Sequence, residues 1–302
     1  MNKTYPHYAW IDITKALAII LMIVGHTSIS KVFSDFIFAF HMPVFFLASG
    51  WCSRWEKYSF GSFALHRSRT LLIPFAIYSI IVIAITFFIQ EPMFSLTDGW
   101  QGYALWFVPV LFVSSLLAKW IESIPNDVIK VILSLICLVV GSLLSYYRIL
   151  LPWTMSTVPY ATFLILVGSY LKRGERFITK PRWYLLVGGF IIVSIVSHFW
   201  RMDLAWNVII PVSTLTIAAL SGYVMLATIA SYISKCPSWI WKFLERMGKD
   251  TFVIMAFSQI IIVGLNKYFS INVITKYVCF AVLLSLIIVL KNKMAYCIRK
   301  TK

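Results

Sequence analysis

Residues 11–27 read IDITKALAIILMIVGHT, and residues 38–50 read FAFHMPVFFLASG. A hydrocarbon core takes about 20 apolar residues of helix, so each stretch predicts the body of a membrane-spanning helix. The first carries Asp12, Lys15 and His26. An ionisable side chain inside a span costs about 2.5–3.5 kcal/mol on insertion scales, which makes such residues functional suspects. At about 100° per residue, positions 15 and 26 differ by about 20° and positions 12 and 26 by about 40°. All three therefore share one helix face. Asp12 and Lys15, at i and i+3, can pair, and His26 stands about 16 Å further along the axis.

The same reading extends along the chain. It predicts spans at about 13–30, 34–52, 70–89, 103–120, 128–146, 155–171, 183–200, 204–229, 251–267 and 273–291. The expected fold class is an all-α integral membrane protein, a bundle of about ten transmembrane helices forming a single domain over residues 1–302. Composition agrees. Hydrophobic residues make up 60% and charged residues 13%, against roughly 45–50% and 25% in soluble domains. The surplus apolar surface has to face lipid. With both ends placed in the cytoplasm, 22 of the 27 Lys and Arg fall in cytoplasmic segments; only Lys31, Arg148, Arg201, Lys267 and Lys276 fall outside. That asymmetry fits the positive-inside rule. The longest outer loop is expected at about 90–102, and the first residues do not form a cleavable signal peptide.

The net charge of +16 raises the nucleic-acid class. The basic residues, however, sit in short clusters between apolar runs, without a recognition helix or zinc-finger spacing, which argues against nucleic acid as a partner. The five cysteines, Cys52, Cys137, Cys236, Cys279 and Cys297, contain no CxxC pair. Neither a metal site nor a disulfide framework is expected from them.

In the second stretch His41 lies in the most aromatic part of the chain. Pro43 cannot donate to the carbonyl of Ala39, so the helix is expected to kink there. Ser49 and Gly50 are small enough for close helix contact. Only a few residues near 31–33 join the first two spans, so they form an antiparallel hairpin with His26 and His41 at similar depth. Arg67 and Arg69 precede the third span on the cytoplasmic side, where guanidinium groups can take phosphate bidentately. Plainer readings stay open: Asp12 and Lys15 as snorkelling interface residues, His41 as a hydrogen bond between helices, and both arginines as topology signals.

These stretches, with RSRTLLIP at 67–74 and LWFVPVLF at 105–112, resemble the acyltransferase type 3 membrane family, in particular the branch that includes fucose 4-O-acetylase-like proteins. The family's basic residue followed eleven positions later by His is met by Lys15 and His26. Its His-Met-Pro with following aromatics and Ser-Gly is met by His41, Met42, Pro43, Phe45, Phe46, Ser49 and Gly50. Its Trp-Phe is met by Trp106 and Phe107. Two positions depart from the pattern. Arg-x-x-Arg before the third span becomes His66 and Arg69, and a late histidine is replaced where Ser258 and Gln259 stand. The resemblance implies an enzyme of a bacterial inner membrane that takes an acyl group, most often acetyl, from cytoplasmic acyl-CoA. The acceptor is a sugar hydroxyl of a surface polysaccharide or its lipid-linked precursor.

Acyl transfer to a hydroxyl needs a base, and a histidine with an ordinary pKa of about 6.5 suits the work. His26 is the expected base and His41 a second base or orienting partner; an acyl-histidine intermediate is the other route. Asp12, Lys15, Ser49 and Trp106 are expected at the substrates, and Arg67 and Arg69 at the phosphates of the donor. The acyl-CoA is a donor substrate; no resident cofactor or metal is expected. The competing class is a transporter or flippase using the intramembrane His, Lys and Asp as a relay, although the chain lacks the inverted repeat typical of many transporters. A third class is a scaffold for polysaccharide assembly.

Overall fold

The computed structural model describes residues 8–27, 29–91, 93–100, 102–175, 180, 182–236, 238–269 and 273–300, with side chains described except at 273, 274, 276 and 294–300. Among these residues the chain is helical almost throughout. Helix α1 is Ala9–Gly25, α2 Lys31–Phe38 and α3 His41–Cys52. Next come α4, Phe60–Arg67, and α5, Ile73–Phe88, joined by a π turn at Ser68–Leu72. Helix α6 is Phe107–Glu122, α7 Asp127–Tyr146 and α8 Val158–Leu171. The last five are α9, Trp183–Phe199; α10, Val212–Lys235; α11, Trp239–Lys249; α12, Thr251–Tyr268; and α13, Val273–Lys300. One small antiparallel hairpin, β1 Phe94–Ser95 with β2 Gly99–Trp100, lies between α5 and α6.

Seven helical segments among the described residues are long and apolar enough to cross a membrane, including Lys31–Cys52, Phe60–Phe88 and Asp127–Tyr146. The apolar α9 is shorter. Helices α1 and α13, which are not among those seven, lie where the first and last spans were expected. The outward faces are apolar: Ile132, Ile136, Val139 and Leu143 on α7 are exposed, as are Ile77, Ile80 and Ile81 on α5 and Ile191 and Ile195 on α9. Apolar rows of this extent left open on the outside of a bundle are a lipid-facing shell.

Contacts sort the connecting segments into two ends. At one end Tyr8 meets Glu175, Lys291 pairs with Asp250, and Arg67 reaches Ser53. At the other, Arg201 pairs with Asp35, Lys267 with Glu91, and Tyr277 donates to Thr27. The first end holds most of the basic residues and is called the basic end below. Of the basic residues expected there, Lys3, Arg176 and Lys302 lie outside the described residues.

Three boundaries differ from the expected spans. The second span is two helices, because Pro43 withholds its donor and Phe40 leaves helical geometry at φ −145°, ψ −20°. The third begins earlier: α4 runs into α5 through the π turn, where Ile73 N–H reaches back to Ser68 O. Pro74 sits in the first turn of α5, so the carbonyl of Thr70 lacks its usual donor and the ladder shifts register there. The eighth span begins at Val212 rather than near 204. Asp203 and Val208 exchange backbone hydrogen bonds of 2.9 and 2.8 Å, and Asn207 closes the turn in the left-handed region at φ 50°. This makes an outer turn over 200–211. A further helix that the hydropathy did not suggest, α11, packs on α1 at the basic end and exposes Trp239, Ile240 and Phe243.

The core forms where α3 crosses α8. A Cβ on Gly50 would collide with Ile165 O, and one on Gly168 with Leu47 O, so the two backbones touch. This crossing holds α3, and with it His41 and Ser49, against the bundle.

Candidate functional site

Two cavities lie end to end along α1, α3 and the start of α6. The inner one, of about 240 Å³, opens toward the basic end and is lined by Lys15, Phe45, Ser49, Cys52, Arg67 and Phe107 among others. The outer one, of about 230 Å³, is lined by Met22, His26, Phe38, His41, Met42, Trp106, Arg201, Asp203 and Trp206 among others. Helical spacing explains the arrangement. On α1, Lys15 faces one cavity and Met22 and His26 the other; on α3, His41 and Met42 face the outer cavity, and Phe45, Ala48, Ser49 and Cys52 the inner. Successive residues Trp106 and Phe107 fall on opposite sides of the partition, and Phe107 packs on Phe45 with ring centroids 5.9 Å apart.

At the inner cavity Arg67 extends toward α3, its Nη2 donating to Ser49 Oγ and Ser53 Oγ, both at 3.4 Å. Ser53 also lines a surface basin of about 680 Å³ that gathers Arg54, Lys57, Lys130, Lys172 and Arg173 with Glu56 and Glu122. Arg67 therefore stands between the basin and the inner cavity. Lys15 pairs with Asp12 at 2.7 Å, and Asp12 itself is buried. Gly248 of α11 sits against the backbone of Asp12 with no room for a Cβ.

The outer cavity is built around three rings and a cluster of ion pairs centred on Arg201 and Asp35. Phe38 lies edge-on to both histidines, with centroids 5.7 Å from His26 and 4.9 Å from His41. The Arg201 guanidinium lies 4.3 Å from the centre of the Phe38 ring. Arg201 Nη1 also pairs with buried Asp35 at 2.7 Å. Asp203 lies 3.9 Å from Arg201; burial raises its carboxyl pKa, and the Arg201 charge opposes that rise. The broken helix has a direct consequence. Ile37 O, at the end of α2, is met by His41 Nδ1 at 2.9 Å, so the imidazole is held by the carbonyl that the break makes available. His26 caps the end of α1. Its Nδ1 lies 3.3 Å from Gln259 Nε2 of α12, and Gln259 Oε1 accepts from Ala104 N–H at 2.5 Å.

Of the residues singled out in the sequence, the structure brings His26, His41 and Trp106 to the outer cavity and Lys15, Ser49 and Arg67 to the inner one. Asp12 reaches the site through Lys15. Arg69 is exposed and is not among the residues that line either cavity; two residues on from Arg67, it falls on the opposite side of the helical backbone. The sequence reading missed Asp35, Arg201, Trp206 and the contact of Gln259. Asp35 is an acid inside a predicted span, and Arg201 is one of five basic residues against the charge bias; both anomalies were signals. Gln259 was marked only as standing, with Ser258, where the resembled family has a late histidine; its contact with His26 depends on α12 packing beside α1.

The family model described as "Acyltransferase domain" matches residues 8–291, and the chain belongs to that family. No curated protein and no solved structure matches it.

Proposed function

We propose that this acyltransferase moves an acetyl group from cytoplasmic acyl-CoA to a hydroxyl of a sugar, in a surface polysaccharide or its lipid-linked precursor, across a bacterial inner membrane. Both chain ends are placed in the cytoplasm, because the basic end should face inward. The branch that includes fucose 4-O-acetylase-like proteins is the one its motifs suit.

The observation that carries this reading is the pair of cavities stacked along α1 and α3. The inner one is flanked by Arg67 and Lys15 and the outer one by two histidines. The basic basin and Arg67 suit the phosphates of a CoA. Phe45, Phe107 and Leu111 suit the uncharged arm that carries the thioester inward. Trp106 and exposed Trp206 suit the faces of a sugar ring. The acceptor oxygen attacks the thioester carbonyl, a histidine takes its proton, and the carbon–sulfur bond breaks to leave CoA thiol and an ester.

Purified chain in lipid nanodiscs, given radiolabelled acetyl-CoA and a lipid-linked oligosaccharide acceptor, should release CoA and label the acceptor. Release of CoA without labelled acceptor would replace this reading with a hydrolase; with the same chain in sealed vesicles, acceptor that crosses the bilayer without acyl transfer would replace it with a transporter.

A further inference from the structure

The hydrogen bonds of the two histidines assign opposite tautomers. Ala104 N–H can only donate, so the Gln259 atom 2.5 Å from it is the carbonyl Oε1. Gln259 then presents its NH₂ to His26, and Nδ1 of His26 at 3.3 Å has to accept. A neutral His26 therefore carries its proton on Nε2. His41 is held the other way. Its Nδ1 faces Ile37 O, which can only accept, so Nδ1 carries the proton and Nε2 keeps the lone pair.

We infer that His41 is the base of the acyl transfer and His26 a hydrogen-bond donor to the thioester oxygen, with Gln259 the positioning residue that imposes this division. This rests on the acyltransferase reading above. His41 can accept a proton at Nε2 and keep its bond to Ile37 O. His26 cannot become doubly protonated without turning an N–H of its own against the NH₂ of Gln259, so it stays neutral and offers Nε2–H. In the reaction the acceptor O–H gives its proton to His41 Nε2 as its oxygen bonds to the acyl carbon. Charge that develops on the thioester oxygen is met by His26 Nε2–H. The carbon–sulfur bond then breaks and the thiolate leaves as thiol with the proton His41 took. The roles are the reverse of those the motif spacing suggests.

The test has a readout independent of turnover. In nanodiscs, with histidine rings labelled with ¹⁵N and assigned by His26→Asn and His41→Asn spectra, wild type should show His26 Nδ1 without a proton and His41 Nδ1 with one. Gln259→Glu keeps an acceptor for Ala104 N–H but turns an acceptor toward His26. It should move the His26 proton to Nδ1, leave the His41 spectrum unchanged and lower acyl transfer by ~10²-fold at unchanged KM for acyl-CoA. His26→Gln, which keeps an N–H, should retain more transfer than His41→Gln. Wild-type spectra with either assignment reversed, or Gln259→Glu at wild-type rate, would overturn the inference even if that variant were unstable in other respects. Expected spectra from a chain that transfers no acyl group would leave the tautomers standing and overturn both the base assignment and the acyltransferase reading.

Discussion

The Arg67 guanidinium reaches Ser49 Oγ at 3.4 Å, across the boundary between the helix that follows the basic loop and the helix that carries His41. Arg67 belongs to the wall of the inner cavity, while Arg69, two residues on, is exposed. Arg67→Ala is expected to raise the KM for acyl-CoA by about tenfold or more, the loss of one charge-assisted contact to phosphate. Arg69→Ala should change it by less than about twofold, since an exposed cation contributes little. Initial rates against acyl-CoA concentration, in nanodiscs, separate the two.

Gly168 is predicted to be a structural position. Its Cβ would meet the backbone of Leu47, not a side chain that can swing away. Gly168→Ala should cost roughly 1–3 kcal/mol and lower the unfolding temperature in detergent. Gly61→Ala, where a Cβ meets open space, should not. Equal unfolding temperatures would mean that α3 and α8 cross less closely than described.

Asp35 is buried against Arg201, and both belong to the frame of the outer cavity. Asp35 also pairs with Lys31 at 2.6 Å, but the Lys31 side chain is exposed, so removing Arg201 alone leaves the buried carboxylate with one solvent-screened partner. Arg201→Met should therefore lower the amount of inserted protein, and the double variant with Asp35→Asn should restore it. Acyl transfer should remain depressed in both, because the guanidinium over Phe38 is gone. Quantitative immunoblots of membranes, with transfer normalised to inserted protein, check both statements.

The helices were legible in the sequence because lipid imposes one rule everywhere: an apolar run of sufficient length must be a helix. The breaks were less legible. Pro43 announced a kink, yet hydropathy has no feature that says α2 ends at Phe38 and returns His41 to Ile37 O. The outer turn over 200–211 was hidden because Leu204, Ala205, Trp206, Val208 and Ile209 read as membrane residues, while their conformation is set by Asn207 and the Asp203–Val208 bridge. In the site, Lys15 and His26 were visible from helical spacing, and His41 from its aromatic surroundings and the short hairpin that sets it at the depth of His26. Gln259 was not, because 233 positions separate it from His26 and only tertiary packing brings them together.

If the outer cavity is where an acyl group reaches a sugar hydroxyl, mass spectrometry of the surface glycan should register it. Glycan would be compared from cells carrying the wild-type gene, no gene, and His41→Gln, each normalised to membrane-inserted protein. Wild type should place an acetyl mass on the glycan that is absent without the gene, and lost or reduced by about 10²–10⁴-fold with His41→Gln. An identical glycan with and without the gene, or an unchanged acetyl content with His41→Gln at equal protein level, would contradict that assignment.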